Sequence, residues 1–196
     1  MNEQIKHTPL LSNIVETDTD SYQAVHETKE WIAQIIVGLN FCPFAKKELV
    51  NNAIYYYVSS GKKLKLAIQE FIEQCHHLYQ HPSIETSLII LPQGFTDFSR
   101  YLALVDECNE CLIDEGYEGV FQIASFHPLY CFDGEDFDDA ANYTNRSPYP
   151  TLHLIREESM EKVLAVYKNP ENIPENNIML ARQKGHLFFE KVLKNL

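Results

Sequence analysis

The spacing of apolar positions changes several times along the chain, and each change marks an element. Val25, Ile32, Ile35, Ile36 and Leu39 recur at helical spacing behind the capping types Asp18, Asp20 and Ser21, and Gly38 and Asn40 make a usual stop. After Phe41-Cys42-Pro43-Phe44-Ala45 a short helical piece runs to about Val50. The segment AIYYYV at 53–58 reads as an aromatic-rich strand. Leu64, Ile68, Phe71, Ile72, Cys75 and Leu78 line one face of a helix, and TSLIIL at 86–91 is a buried strand ending at Pro92. A second helix carries Phe98, Leu102, Val105, Cys108 and Leu112 on its apolar face and closes at Gly116. Strands follow at 119–126 and 151–155, then a helix near 158–167, the turn PENIPENN and a final helix over about 176–193.

Strand–helix–strand–helix–strand implies right-handed crossovers and at least three parallel strands in one sheet. The expected fold class is therefore α/β: a single layered domain over residues 19–196, with about four strands in a mostly parallel sheet. Residues 1–18 read as a flexible tail. Strand order does not follow from this pattern.

At 196 residues the chain is long enough to bury a substantial core, and 45% hydrophobic with 22% charged residues is an ordinary globular composition. No apolar run approaches the roughly 20 residues of a membrane-spanning helix. The opening MNEQIKHTPLLSN lacks the charged-then-apolar layout of a secretory signal, so a cytoplasmic location is expected. A formal charge of −12 argues against nucleic acid as a partner. Five cysteines, an odd number, are expected as reduced thiols.

Candidate chemistry concentrates between Phe121 and Glu157. Two strand-like runs are joined there by about two dozen residues, few of them apolar, and ordered connections of that length are usually functional. His127 sits at the carboxyl end of the third strand, where open α/β sheets build ligand crevices, and is a candidate for proton exchange. His153 lies between two leucines of the fourth strand, on the face shared with Thr151 and Ile155. Arg146 and Arg156 bracket that strand, and a guanidinium suits a carboxylate or phosphate. Asn142, Tyr143, Thr144 and Asn145 can each hydrogen-bond a ligand or hold the loop itself. Upstream, Pro43 at a first helical position would make Cys42 the N-cap of the short helix. Unpaired N–H groups and the helix dipole, with Lys46 and Lys47 nearby, would then lower the thiol pKa. The competing reading is a small buried thiol beneath the first helix. Cys108 and Cys111 have a zinc-compatible spacing, but Cys108 falls on the apolar face of its helix and reads as a core thiol. The acidic run at 133–139 lacks the spacing of a calcium-binding loop.

The blocks VGLNFCPFA (37–45), ASFHPLYCF (124–132) and NYTNRSPYPTLHLIREES (142–159), with weaker likeness around Asn177-Ile178 and Gly185-His186, carry a resemblance to a bacterial family. From about Thr28 to the last helix the chain resembles the family called "domain of unknown function 1415". The resemblance implies no activity, but its characteristic blocks contain Cys42, His127, Asn142, Tyr143, Arg146, His153 and Arg156.

The resulting expectation is an enzyme or binder of a small anionic molecule. Cys42, His127 and His153 would be its catalytic residues, with Asn142, Tyr143, Arg146 and Arg156 holding the substrate. The residues indicate no particular cofactor. Two alternatives remain: a metal-binding protein using Cys42, His127 and His153, and a non-catalytic module presenting NYTNRSPYP to a peptide or partner.

Overall fold

The computed structural model describes residues 19–196; the proposed tail at 1–18 lies outside the described residues. Helix α1 (Thr19–Trp31) continues directly into a π-helical turn (Ile32–Val37) that ends at Gly38. After α2 (Ala45–Val50) come β1 (Ile54–Val58), α3 (Leu64–Gln80), β2 (Thr86–Ile90), α4 (Phe98–Asp114) and β3 (Phe121–Phe126). The connection to β4 (Thr151–Arg156) contains only one short 3₁₀ turn (Ala140–Thr144). Helices α5 (Glu157–Val166), α6 (Ile173–Lys184) and α7 (His186–Leu193) follow.

The α/β class expected from the sequence is correct, but the sheet is mixed. Its order is β1-β2-β4-β3: β1 and β2 pair in parallel, while β4 runs antiparallel to both β2 and β3. Three strands do point the same way, as the crossovers require. The long connection, however, returns the chain at the end it left, so β4 comes back between β2 and β3 without a crossover helix. The predicted final helix is two helices, broken at Gly185, whose φ of 75° is a left-handed value that glycine adopts without strain.

Helices cover both faces of the sheet. Alternation sends Ile89 and Leu91, Leu152 and Leu154, and Phe121 toward α3 and α4, where Phe71, Leu78, Tyr101 and Leu104 complete a close-packed core. Burying each such aliphatic or aromatic side chain is worth roughly 1.5–3 kcal/mol. Tyr101 fastens α4 to the strand ends: its hydroxyl donates to the Thr151 carbonyl oxygen at 2.7 Å and accepts from the Phe126 N–H at 3.2 Å. The opposite face sends Leu88 and Phe126 into a second cluster with Trp31, Ile35, Phe41, Tyr143, Ala181 and Phe189. Trp31 meets Phe126 edge-on at 5.1 Å, and Tyr143 stacks on Phe189 at 5.0 Å. No helix among the described residues is long and apolar enough to cross a membrane.

Candidate functional site

Packing on this second face is incomplete. A cavity of about 490 Å³ lies between the sheet and the helices that cover it. Its floor is the sheet: Ile54 of β1, Thr86 and Leu88 of β2, His153 and Ile155 of β4, and Gln122, Ala124 and Phe126 of β3. All of these share one face by strand register, as Thr86 opposes Ile155, Leu88 opposes His153 and Ala124 opposes His153. Trp31, Ile32 and Ile36 form one wall, and the segment from Phe41 to Glu48 forms another. Met160 of α5, Ile173 to Ile178 of α6, and the loop residues Phe132, Thr144 and Asn145 close it. The walls are mostly aromatic and aliphatic, as small-molecule sites usually are.

The polar groups are few, and each has a definable state. Thr86 donates its one hydroxyl proton to the Leu154 carbonyl oxygen at 2.6 Å, so its 2.5 Å contact with His153 Nε2 must be a bond donated by the imidazole. That assigns the Nε2–H tautomer and leaves Nδ1 as an acceptor with no hydrogen-bond partner among the described residues. Desolvation lowers the His153 pKa from 6.5 to about 4, so the ring is neutral at pH 7. Glu48 is 1% exposed, and its Oε1 accepts no hydrogen bond among the described residues. The Lys47 Nζ lies 3.4 Å from that oxygen, on a side chain that is itself 69% exposed. Trp31 Nε1 is also buried with no hydrogen-bond partner among the described residues. Asn177 Nδ2 donates to the Phe41 carbonyl oxygen at 2.7 Å and ties α6 to the wall.

Cys42 does line the cavity, but the lowered thiol pKa expected for a helix cap is not found. Helix α2 begins at Ala45, with Phe44 rather than Cys42 as its N-cap residue. Backbone N–H groups of Phe44 and Ala45 do favour the thiolate; burial outweighs them and pushes the thiol pKa up. At neutral pH Cys42 is a thiol. All five cysteines are free, and Cys108 is buried in the core as expected.

Of the seven predicted site residues, Cys42 and His153 are brought together and the other five lie elsewhere. His127 extends the β3 alternation of Phe121, Ile123 and Ser125 onto the α3–α4 face, across the sheet from His153. There its ring packs against Phe98 and Tyr101 at 5.1 and 5.0 Å. Its Nε2–H donates to the Phe95 carbonyl oxygen at 2.9 Å, and its Nδ1 accepts from the Leu129 N–H at 3.0 Å, so both nitrogens are occupied. Burial lowers its pKa. Asn142 is buried and binds the loop to itself: its amide donates to the Asp136 and Phe137 carbonyl oxygens and accepts from the Phe132 N–H. Arg146 donates to the carbonyl oxygens of Tyr130 at 2.9 Å and Phe137 at 2.7 Å, with the rings of Phe137 and Tyr143 at 4.4 and 4.6 Å from its guanidinium. Arg156 donates to the carbonyl oxygens of Leu78, His81 and Ile84 where α3 ends. Tyr143 packs in the second core.

The metal alternative fails on the same geometry, because the sheet separates His127 from Cys42 and His153. Among the described residues no three His, Cys, Asp or Glu side chains are grouped to hold an ion. Sequence reasoning missed Thr86, Gln122, Glu48 and Asn177. Glu48 did leave a signal: it lies one helical turn after Phe44, placing a carboxyl group on an apolar face.

A family model described as "Protein of unknown function (DUF1415)" matches residues 23–191. The chain belongs to the DUF1415 family. No curated protein and no solved structure matches it. The DUF1415 match spans every residue that lines the cavity.

Proposed function

We propose that this DUF1415 protein binds a small, largely apolar molecule in the cavity on the second face of the sheet. The observation that carries the reading is a cavity of about 490 Å³ with aromatic and aliphatic walls and a neutral imidazole in its floor. His153 Nδ1 would accept a hydrogen bond from the ligand, and Thr86 holds the ring in the tautomer that permits it. Placement of a few polar groups in an apolar enclosure is how such sites fix orientation. This reading replaces the anionic ligand expected from the sequence. The cavity lining contains no Lys or Arg, and both expected guanidinium groups donate to backbone carbonyls.

Trp31 is the only tryptophan of the chain and lies in the wall, so its emission reports on occupancy. Titration with uncharged N-phenylnaphthylamine, a probe that brightens in apolar surroundings, should give saturable one-to-one binding with quenching of Trp31. Ala124→Phe and Ala45→Leu, which fill the cavity from floor and wall, should each weaken binding. Non-saturable uptake, or binding indifferent to both variants while both remain folded, would refute the site.

A further inference from the structure

We propose that the ligand of this cavity carries a protonated amine, held against the carboxyl group of Glu48; the inference rests on the cavity being a small-molecule site. Glu48 lines the cavity at 1% exposure, and its Oε1 has no hydrogen-bond donor among the described residues. A buried carboxyl oxygen that accepts no hydrogen bond is costly, and such atoms are few in native proteins. The nearby Lys47 does not resolve it. Its Nζ pairs with Oε1 across 3.4 Å from a side chain that is 69% exposed, but makes no hydrogen bond to it, so the acceptor position on Oε1 stays unfilled among the described residues.

An amine supplies what the site lacks. An ammonium group brings three N–H donors and a positive charge, giving charge-assisted hydrogen bonds to Glu48. The aromatic residues of the lining (Trp31, Phe41, Phe44, Phe126 and Phe132) suit a cation as well as an apolar body, because ring faces carry negative partial charge. An anion would meet a carboxyl group and those same ring faces. The ligand class is thus an apolar body ending in a primary amine, the apolar part lying over the sheet floor.

Competition against N-phenylnaphthylamine on the full chain tests this with three ligands of one shape: phenylbutylamine, phenylbutanol and phenylbutyrate. The amine should displace the probe at roughly tenfold or more lower concentration than the alcohol, and phenylbutyrate should be the weakest. Because a chain of net charge −12 attracts cations generally, the deciding measurement is the amine-to-alcohol ratio in Glu48→Gln, which alters one charge of that total. The ratio should collapse toward one in Glu48→Gln and persist in Lys47→Ala. Equal displacement by amine and alcohol in the wild type, or a ratio unchanged by Glu48→Gln, would overturn the amine while leaving the cavity a binding site. Failure of the probe itself to bind would remove both readings. Should Glu48→Gln not fold, the wild-type amine-to-alcohol ratio at about 0.5 M salt decides, since salt screens the net charge but much less a buried pair: a ratio that persists supports the amine, and one that falls to one overturns it.

Discussion

Replacing His153 with Gln isolates a titration that the fold suppresses. The glutamine amide can still donate to Thr86 Oγ1, so the contact that holds the imidazole is kept while its protonation is removed. In the native protein the ring pKa is lowered from 6.5 to about 4 by loss of solvent. The folded value lies below the unfolded one, so protons bind the unfolded chain preferentially. Stability is then complete above about pH 6.5 and is lost as pH falls toward 4. The full difference of 2.5 pH units corresponds to about 3.4 kcal/mol at 1.36 kcal/mol per unit, of which about 2 kcal/mol has gone by pH 5. Water entering the cavity would reduce this, so a loss of about 1–2 kcal/mol between pH 7 and pH 5 is expected. Urea unfolding followed by Trp31 emission at several pH values, for wild type and His153→Gln, gives the difference directly. His77 and His127, whose pKa values are also lowered, are present in both proteins and cancel. Parallel stability curves for the two proteins would show that the ring titrates as in water, and the neutral acceptor proposed for the floor would be wrong.

Three further outcomes follow from the same geometry. Cys42, with its thiol pKa raised by burial, should react with iodoacetamide at pH 7.5 several-fold more slowly than N-acetylcysteine, and more slowly still when N-phenylnaphthylamine is bound; peptide mass mapping measures it. Asn142→Ala removes three part-buried hydrogen bonds that hold the loop to itself, a loss of about 1–3 kcal/mol in urea unfolding if the amide is structural. Arg156→Met strips donors from three carbonyl oxygens at the end of α3 and should cost about 1–3 kcal/mol without changing probe affinity; a lost affinity with intact stability would restore Arg156 as a ligand contact.

What the sequence revealed depended on whether a residue's environment is set locally. Strand alternation alone put His153 with Ile155 and apart from Leu152 and Leu154, and the structure keeps that division: the first pair lines the cavity and the second packs under α3 and α4. The same parity, applied to Arg156, assigns it to the α3 face, where it is found. Relating His127 to His153 was beyond local pattern, since it needs the β3–β4 pairing, and pairing partners are fixed by backbone ladders between distant segments. Thr86 is illegible for a related reason, since its place beside His153 is set by the β2–β4 pairing, whereas Glu48 carries a local signal in its position one helical turn after Phe44. In the long connection, residue type misled. A segment with so little regular structure must satisfy its own backbone, and Asn142 and Arg146 donate to carbonyl oxygens that no ladder reaches.

The cavity itself traces to the π-helical turn after α1. An α-helix continued through Ile32–Val37 would keep one bond spacing; here the Gly38 N–H reaches the Ala33 carbonyl oxygen and the Phe41 N–H that of Ile36, each five residues back. The wider turn accommodates an extra residue and shifts the apolar stripe, so Trp31, Ile32 and Ile36 stand along the cavity wall. Gly38 permits the tight exit, since a Cβ there would lie 2.3 Å from the Gln34 carbonyl oxygen. The chain then turns through Asn40, at a φ of 55°, to deliver Phe41, Cys42 and Phe44 to the adjoining wall. Helix α2 carries Glu48 into that wall one turn after Phe44. The block VGLNFCPFA therefore acts by geometry more than by the reactivity of its cysteine: it carries the chain from the π-helical turn into the wall that α2 continues, where Glu48 Oε1 accepts no hydrogen bond among the described residues.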